Sequence, residues 1–204
     1  MPAATLAIPG LTNHTASAFL ARLGAMADDN PVTHRRLHGC VLAQGGRALI
    51  MLDADDSEEE RIMTLAHEAS HLLLHYFEPR RRAVEALGLS ILAVLDGDRQ
   101  PTTAEALSAV LRSVTLTRFS HSLEHSPRRQ GQAERLEDEA DHLAIELIAP
   151  QAVLRRLRDR SPGALRAQFG FPAFVAANLS ASLTPAGGQP RGVLHLLKRG
   201  GERN

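Results

Sequence analysis

Aromatic residues are scarce in this chain of 204 residues, which has no Trp, one Tyr and six Phe. Its core must therefore be built mainly from aliphatic side chains. A single cysteine, Cys40, cannot form an internal disulfide, so nothing in the sequence indicates an oxidising compartment. Twenty-three basic and 23 acidic residues leave no formal net charge. No overall field would draw the protein to nucleic acid or anionic membranes, and we expect it to bind neither directly.

Long hydrophobic runs are also missing, and we expect no signal peptide. Residues 1–4 lack the basic start of a signal peptide, and no apolar run is long enough to cross a bilayer. Hydrophobic residues make up 44% of the chain and charged residues 23%, as is usual for globular proteins. These features predict a cytoplasmic protein, and they carry no signal for its oligomeric state.

Apolar periodicity predicts a mainly helical α+β fold with a small sheet. Two short apolar runs, 40–42 and 48–52, flank the turn residues 44–46 and predict a β-hairpin. A first helix is expected from Asn13 to about Asp28, and a second from Glu58 to about Tyr76. The other predicted helices cover 83–95, 103–116, 133–148, 151–158, 162–169 and 172–183.

The second helix carries the most informative motif, H-E-x-x-H at His67–His71. Residues four apart project from the same side of a helix, so His67 and His71 can reach one metal ion. Glu68 beside them can act as the general base on a water molecule. A solvated helix face that carries histidines is the alternative interpretation. The helix is expected to be embedded in the core, which favours the metal site, because it has an apolar stripe of Ile62, Leu65, Ala69, Leu72, Leu73 and Tyr76.

A catalytic zinc ion needs a third protein ligand, and residues 136–141 supply candidates. At about 100° per residue, Glu137 lies closest to the centre of the apolar stripe of this helix, whereas Asp138 faces away and Glu139 lies on the flank. An inward-facing carboxylate is costly unless it is paired or bound to metal. Glu137 is therefore the predicted ligand and Glu139 the alternative. The stripe consists of Leu136, Ala140, Leu143, Ala144 and Leu147.

Asp141 lies one turn beyond Glu137. It can accept a hydrogen bond from the far ring nitrogen of a metal-binding histidine, although a plain surface acid is the alternative. The inverted motif H-x-x-E-H at His121–His125 is a rival metal site. Its neighbours form no apolar stripe, and Pro127 follows at once, so we do not expect a rigid catalytic helix there.

Both motifs resemble those of the ImmA/IrrE metallopeptidases. His67–His75 is similar to their HExxHxxLH segment, and Glu137–Pro150 to their ExEANxFAxxLLxP segment. Residues 167–175 resemble a helix pair near the end of the family pattern. The resemblance implies a gluzincin-like core and cleavage of a helix-turn-helix transcriptional repressor in stress response or mobile-element control. This chain departs from the pattern in having Asp141 where Asn is usual.

A second departure is the stretch of about 65 residues between His71 and Glu137, longer than the family pattern. We expect one catalytic domain in three parts. Residues 1–79 hold the first helix, the sheet and the motif helix, residues 80–131 form a helical insertion, and residues 132–204 hold the third-ligand helix and a helical tail. The insertion would shape or cover the substrate groove, or bind a regulator.

The sequence therefore predicts a zinc-dependent metallo-endopeptidase with a protein substrate. A His₂Glu site also accepts other divalent ions such as Mn²⁺. The alternative from another class is a non-catalytic metal-binding regulator that acts by protein–protein binding. A DNA-binding protein with structural zinc is a third hypothesis, which the zero net charge disfavours.

Overall fold

The computed structural model describes residues 3–22, 35–116 and 130–183. It is mainly helical with one three-stranded mixed sheet, which confirms the predicted α+β class. Within these ranges, no helix is both long and apolar enough to cross a membrane.

The sheet consists of β1 (Ala3–Ile8), β2 (Gly39–Gln44) and β3 (Arg47–Asp53), in the order β1-β3-β2. The predicted hairpin is confirmed as the antiparallel pair β2–β3. Its two-residue turn has φ angles of 57° and 74° at Gly45 and Gly46, which only glycine adopts at little cost. Strand β1 was not predicted, and it pairs in parallel with β3.

Helices cover both faces of the sheet. Helix α1 (Asn13–Arg22) packs on one face, where Leu11, Ala16 and Met51 are fully buried. Its predicted extension to residue 28 lies outside the described residues. Helix α2 (Glu58–His71) packs on the opposite face with the segment that follows it. The buried residues there are Val41, Ala48, Ile50, Leu52, Leu72 and Tyr76.

Helix α2 begins with a capping box. The hydroxyl of Ser57 accepts a hydrogen bond from the Glu60 backbone, and the Glu60 carboxylate accepts one from the Ser57 backbone. The predicted apolar stripe was wrong in part, since Ile62, Leu65 and Leu73 are 43%, 37% and 44% exposed. The buried side of α2 instead carries Met63, His67, Glu68, Ser70 and His71. The reason is that α2 packs against a later helix as well as against the sheet, and this later helix covers the side of α2 that carries the polar motif.

The motif helix continues well beyond its predicted end at Tyr76. A π-helical segment (Leu72–Phe77) follows α2 directly and leads into α3 (Glu78–Leu87). The predicted helix 83–95 is broken at Gly88, whose φ of 84° is left-handed. A 3₁₀ turn (Leu89–Ile91), α4 (Leu92–Asp96) and α5 (Thr103–Leu111) come next.

The described part of the insertion has a small apolar core of its own, with Ala83, Ile91, Val94 and Leu95 buried. Asp96 joins it to the turn of the hairpin, because its carboxylate accepts hydrogen bonds from Arg80 and from the Gly45 backbone. These contacts dock residues 80–96 beside the β2–β3 turn.

Helix α6 (Gln130–Ile148) runs against α2 and is the neighbour that buries the motif. Its apolar side joins the largest core with α7 (Gln151–Leu154), α8 (Pro162–Phe169) and α9 (Ala173–Leu183). The fully or nearly buried members are Met63, Ala144, Ile145, Ala149, Leu154, Leu165, Phe171, Val175, Ala176 and Leu179.

The close packing of α2 on β2 depends on the absence of a side chain at Gly39. A Cβ atom placed there would lie 2.5 Å from Cγ2 of Thr64, 3.0 Å from the Met51 carbonyl oxygen and 3.3 Å from Cγ of Glu68. Non-bonded carbon atoms pack at about 3.5–4.0 Å. Helix α2 can therefore approach β2 only because residue 39 is glycine.

We expect Gly39→Ala to lower the free energy of unfolding by about 1–3 kcal/mol, the usual cost of overpacking. Denaturant unfolding of the purified chain measures it. Thr64→Ser removes the closest clashing atom, so the double variant should recover part of the loss. Gly163→Ala is the control, because nothing lies within 4 Å of a Cβ at that position. Wild-type stability of Gly39→Ala would contradict this account.

Candidate metal centre

The packing of α6 on α2 brings His67, His71 and Glu137 together. The two histidine Nε2 atoms lie 3.0 Å apart. Glu137 faces both of them, with Oε2 at 3.4 Å from Nε2 of His67 and Oε1 at 3.7 Å from Nε2 of His71. Of the His, Cys, Asp and Glu residues that the structure describes, these form the one group of three with metal-ligand spacing.

The spacing of these atoms suits zinc. Ligands at 2.0–2.1 Å from a tetrahedral ion are separated from each other by about 3.3 Å. The three observed separations lie on either side of that value. Two imidazoles and one carboxylate are also the donor set of many catalytic zinc sites. The residues present therefore fit a zinc ion.

Asp141 sets the orientation of His67. Its Oδ1 lies 2.7 Å from Nδ1 of His67, and both side chains are buried. A carboxylate only accepts hydrogen bonds, so Nδ1 carries a proton. In the neutral ring, which is the form that binds a metal, Nε2 then presents its lone pair towards Glu137. The sequence suggested this contact for Asp141, with a plain surface acid as the alternative.

The electrostatics of the group favour a positive charge between its members. Burial alone would lower the pKa of His67, but hydrogen bonds to Asp141 and Glu137 outweigh it and raise that pKa to about 10. Burial acts to raise the pKa of Glu137, but hydrogen bonds from His67 and His71 hold it well below its usual range. The same arrangement of charges suits a metal cation.

Glu68 is buried beside the group. Burial raises the pKa of its carboxyl, while the neighbouring His67 and His71 act in the opposite direction. The backbone N–H of Val41 also acts to lower the pKa of Glu68. Its Oε2 is buried and has no hydrogen-bond partner among the residues that the structure describes. An acceptor in this position is available to a water molecule or a substrate.

Val41 lies on β2, at the edge of the described sheet. The Asp53 N–H donates to the His38 carbonyl oxygen at the start of the hairpin. Hydrogen-bonded pairs alternate along an antiparallel ladder, so the backbone groups of Gly39 and Val41 point away from β3. This direction agrees with the effect of the Val41 backbone on the pKa of Glu68.

Glu139, the alternative ligand from sequence, is not a member of the group of three. Its Oε2 lies 3.5 Å from Nε2 of His75, and Nδ1 of His75 lies 3.0 Å from Nδ1 of His71. Burial and the nearby His71 lower the pKa of His75. The sequence placed His75 one turn beyond the motif but did not connect it with Glu139.

The other sequence candidates contribute nothing visible to this group. The inverted motif at His121–His125 lies outside the described residues. Tyr76 is buried in the core, where its hydroxyl accepts a hydrogen bond from the Gly46 backbone. Burial raises the pKa of the Cys40 thiol to about 12, which makes the thiol a poor nucleophile and metal ligand.

Two buried histidines and a partly exposed carboxylate lie at metal-ligand spacing on two packed helices, with the buried Glu68 beside them. This arrangement is typical of zinc-dependent hydrolases. Residues 17–90 match the family model described as the IrrE N-terminal-like domain of peptidase family M78. The match confirms, for this part of the chain, the predicted resemblance to the ImmA/IrrE-type metallopeptidases. It includes His67, Glu68 and His71 but ends before Glu137. Neither a curated protein nor a solved structure matches the chain significantly.

Proposed function

We propose that the chain is a zinc-dependent metallo-endopeptidase in which His67, His71 and Glu137 hold the metal and Glu68 is the general base. The observation that carries the proposal is the convergence of three ligand atoms within 4.8 Å of one another, beside a buried carboxylate with an unused oxygen. Zinc is the proposed ion, and Mn²⁺ is the alternative that such a donor set accepts.

The reaction is hydrolysis of a peptide bond. A zinc ion held by these residues would lower the pKa of water and polarise the scissile carbonyl. Glu68 accepts a proton from the attacking water while the water oxygen bonds to the carbonyl carbon. Glu68 then delivers that proton to the amine nitrogen as the C–N bond breaks. Asp141 keeps the His67 ring in place.

The proposed substrate is a specific protein, with a helix-turn-helix transcriptional repressor as the leading class. This part of the proposal rests on the family resemblance rather than on the site. On the same basis, the proposed location is the cytoplasm, and the proposed role is in a stress response or in the control of a mobile element. The described part of the insertion docks beside the hairpin turn, and its proposed role is to select this substrate.

Metal removal and identification of new N-termini test the proposal together. Purified chain added to a cell extract should generate new protein N-termini, detected by mass spectrometry. A strong chelator should abolish them, and added Zn²⁺ should restore them, because the residues form a metal site without a covalent cofactor. New N-termini within a repressor support the whole proposal, and those within other proteins support a peptidase with a different substrate.

The rival hypothesis of a non-catalytic regulator predicts a different result from the same experiment. It expects zinc-loaded chain to produce no new N-termini in the extract and to retain a partner stably in pull-down. A zinc-loaded, folded chain with that behaviour would contradict the peptidase proposal.

A further inference from the structure

The second metal-binding histidine has an unusual neighbour. Whereas His67 is held by a carboxylate, Nδ1 of His71 faces another imidazole, with Nδ1 of His75 at 3.0 Å. The side chains of both His71 and His75 are largely buried, with 2% and 13% exposed. His75 lies in the π-helical segment that begins directly after His71. Departures from α-helical hydrogen bonding of this kind are frequent at functional sites.

The positions of the ring protons follow from the geometry. Nε2 of His71 faces Nε2 of His67 and the Glu137 carboxylate, so it must present a lone pair there to bind a metal. The proton of neutral His71 is therefore on Nδ1, and it is donated to Nδ1 of His75. The proton of neutral His75 is in turn on Nε2, where the nearest acceptor is Oε2 of Glu139 at 3.5 Å.

We infer that His75 and Glu139 form a positioning pair that holds the His71 ring in the orientation and tautomer needed for metal binding. The inference rests on the proposed metal site. Neither residue touches the metal or the reacting atoms. His75 acts through His71, and Glu139 acts through His75. Glu139, the alternative ligand from sequence, therefore has a different role from Glu137.

The two members of the pair should contribute unequally. His75 is largely buried and makes the shorter contact, whereas the side chain of Glu139 is 53% exposed and its contact is at the outer limit of a hydrogen bond. Loss of a partner of a metal-binding histidine typically costs 10–100-fold in metal affinity. We expect His75→Ala to weaken zinc binding by at least about tenfold, and Glu139→Gln to weaken it by less.

The test is zinc affinity of the full chain, measured by competition with a chromophoric chelator. His75→Gln is the conservative variant, because its side-chain carbonyl can accept the Nδ1–H of His71, and it should bind zinc more tightly than His75→Ala. His142→Ala is the matched control, since His142 is exposed on α6 and contacts the Asp138 backbone. It should bind zinc with wild-type affinity.

A double-mutant cycle separates a positioning chain from general structural damage. If Glu139 acts only through His75, the variant His75→Ala/Glu139→Gln should bind zinc as weakly as His75→Ala alone. The spectrum of the Co²⁺-substituted chain should change in His75→Ala and not in His142→Ala, because the His71 ring is no longer held. Thermal unfolding without metal shows whether each variant is folded.

The outcomes distinguish this inference from the proposed function. Wild-type zinc affinity in folded His75→Ala, or full additivity in the double variant, would overturn the positioning pair and leave the metal site standing. Failure of the wild-type chain to bind zinc, or unchanged affinity after His67→Ala, would overturn the metal site itself.

Discussion

Glu68→Gln should reduce peptide cleavage by at least about 100-fold while the chain still binds zinc with wild-type affinity. General acid–base groups contribute about 10²–10⁴-fold to rate, and an amide cannot accept the proton of the attacking water. Gln has nearly the same shape as Glu, so it fits the same buried position. Glu68 is not one of the three grouped ligands, so the metal site should be unaffected.

The measurement compares the rate at which wild-type and variant chains generate the N-termini found in the extract experiment. Zinc content after gel filtration is determined on the same samples. Glu59→Gln is a matched control, because Glu59 is an exposed glutamate on the same helix whose ion pair with Arg166 lies at the surface. It should cleave at the wild-type rate. A wild-type rate in Glu68→Gln would remove Glu68 as the general base.

Glu137→Gln should weaken zinc binding by more than about 100-fold. Loss of a residue that only hydrogen-bonds to a metal ligand costs up to about 100-fold, and loss of the ligand itself should cost more. Glu137 faces Nε2 of both His67 and His71 with its two carboxylate oxygens. An amide is a far weaker ligand for a divalent cation than a carboxylate is, and it does not offset the ion's charge. Cleavage should be lost with the metal.

Zinc affinities of three variants distinguish the role of Glu137 from the roles of its neighbours on α6. Glu139→Gln, measured by the same chelator competition, should have a much smaller effect because its contact is with His75. Asp138 lies between Glu137 and Glu139 in the sequence. Asp138→Asn is therefore the matched control for the loss of one negative charge near the site. A larger loss in Glu139→Gln than in Glu137→Gln would identify Glu139 as the ligand instead.

Helical periodicity accounts for what could be predicted about the site. Residues four apart share a helix side, so the direction of His71 relative to His67 follows from the sequence alone. The same period distinguishes Glu137 from Asp138 on the later helix and places Asp141 one turn beyond it. Capping residues such as Ser57 also mark helix starts locally.

Most of the predictions that were wrong concern contacts between distant parts of the chain. Ile62 and Leu65 were placed in the core because they are apolar, but α6 covers the polar side of α2 and leaves them exposed. Strand β1 has no clear alternation, although the turn dipeptide Pro9-Gly10 follows it, and it is stabilised by pairing with β3 more than 40 residues away. The break at Gly88 had a local signal, a glycine in mid-helix, that periodicity overrode.

The chemistry that each helix carries follows from local sequence: two histidines and a glutamate on α2, and acids on one side of α6. Which of these atoms meet depends on how the helices pack. The docking of α6 on α2 places Asp141 against His67 across 74 positions of sequence, and it gives His75 a partner in Glu139. The close approach of α2 to β2 at Gly39 likewise depends on long-range packing. The physical reason is that the backbone period fixes directions within an element, whereas distances between elements are set by how their surfaces pack.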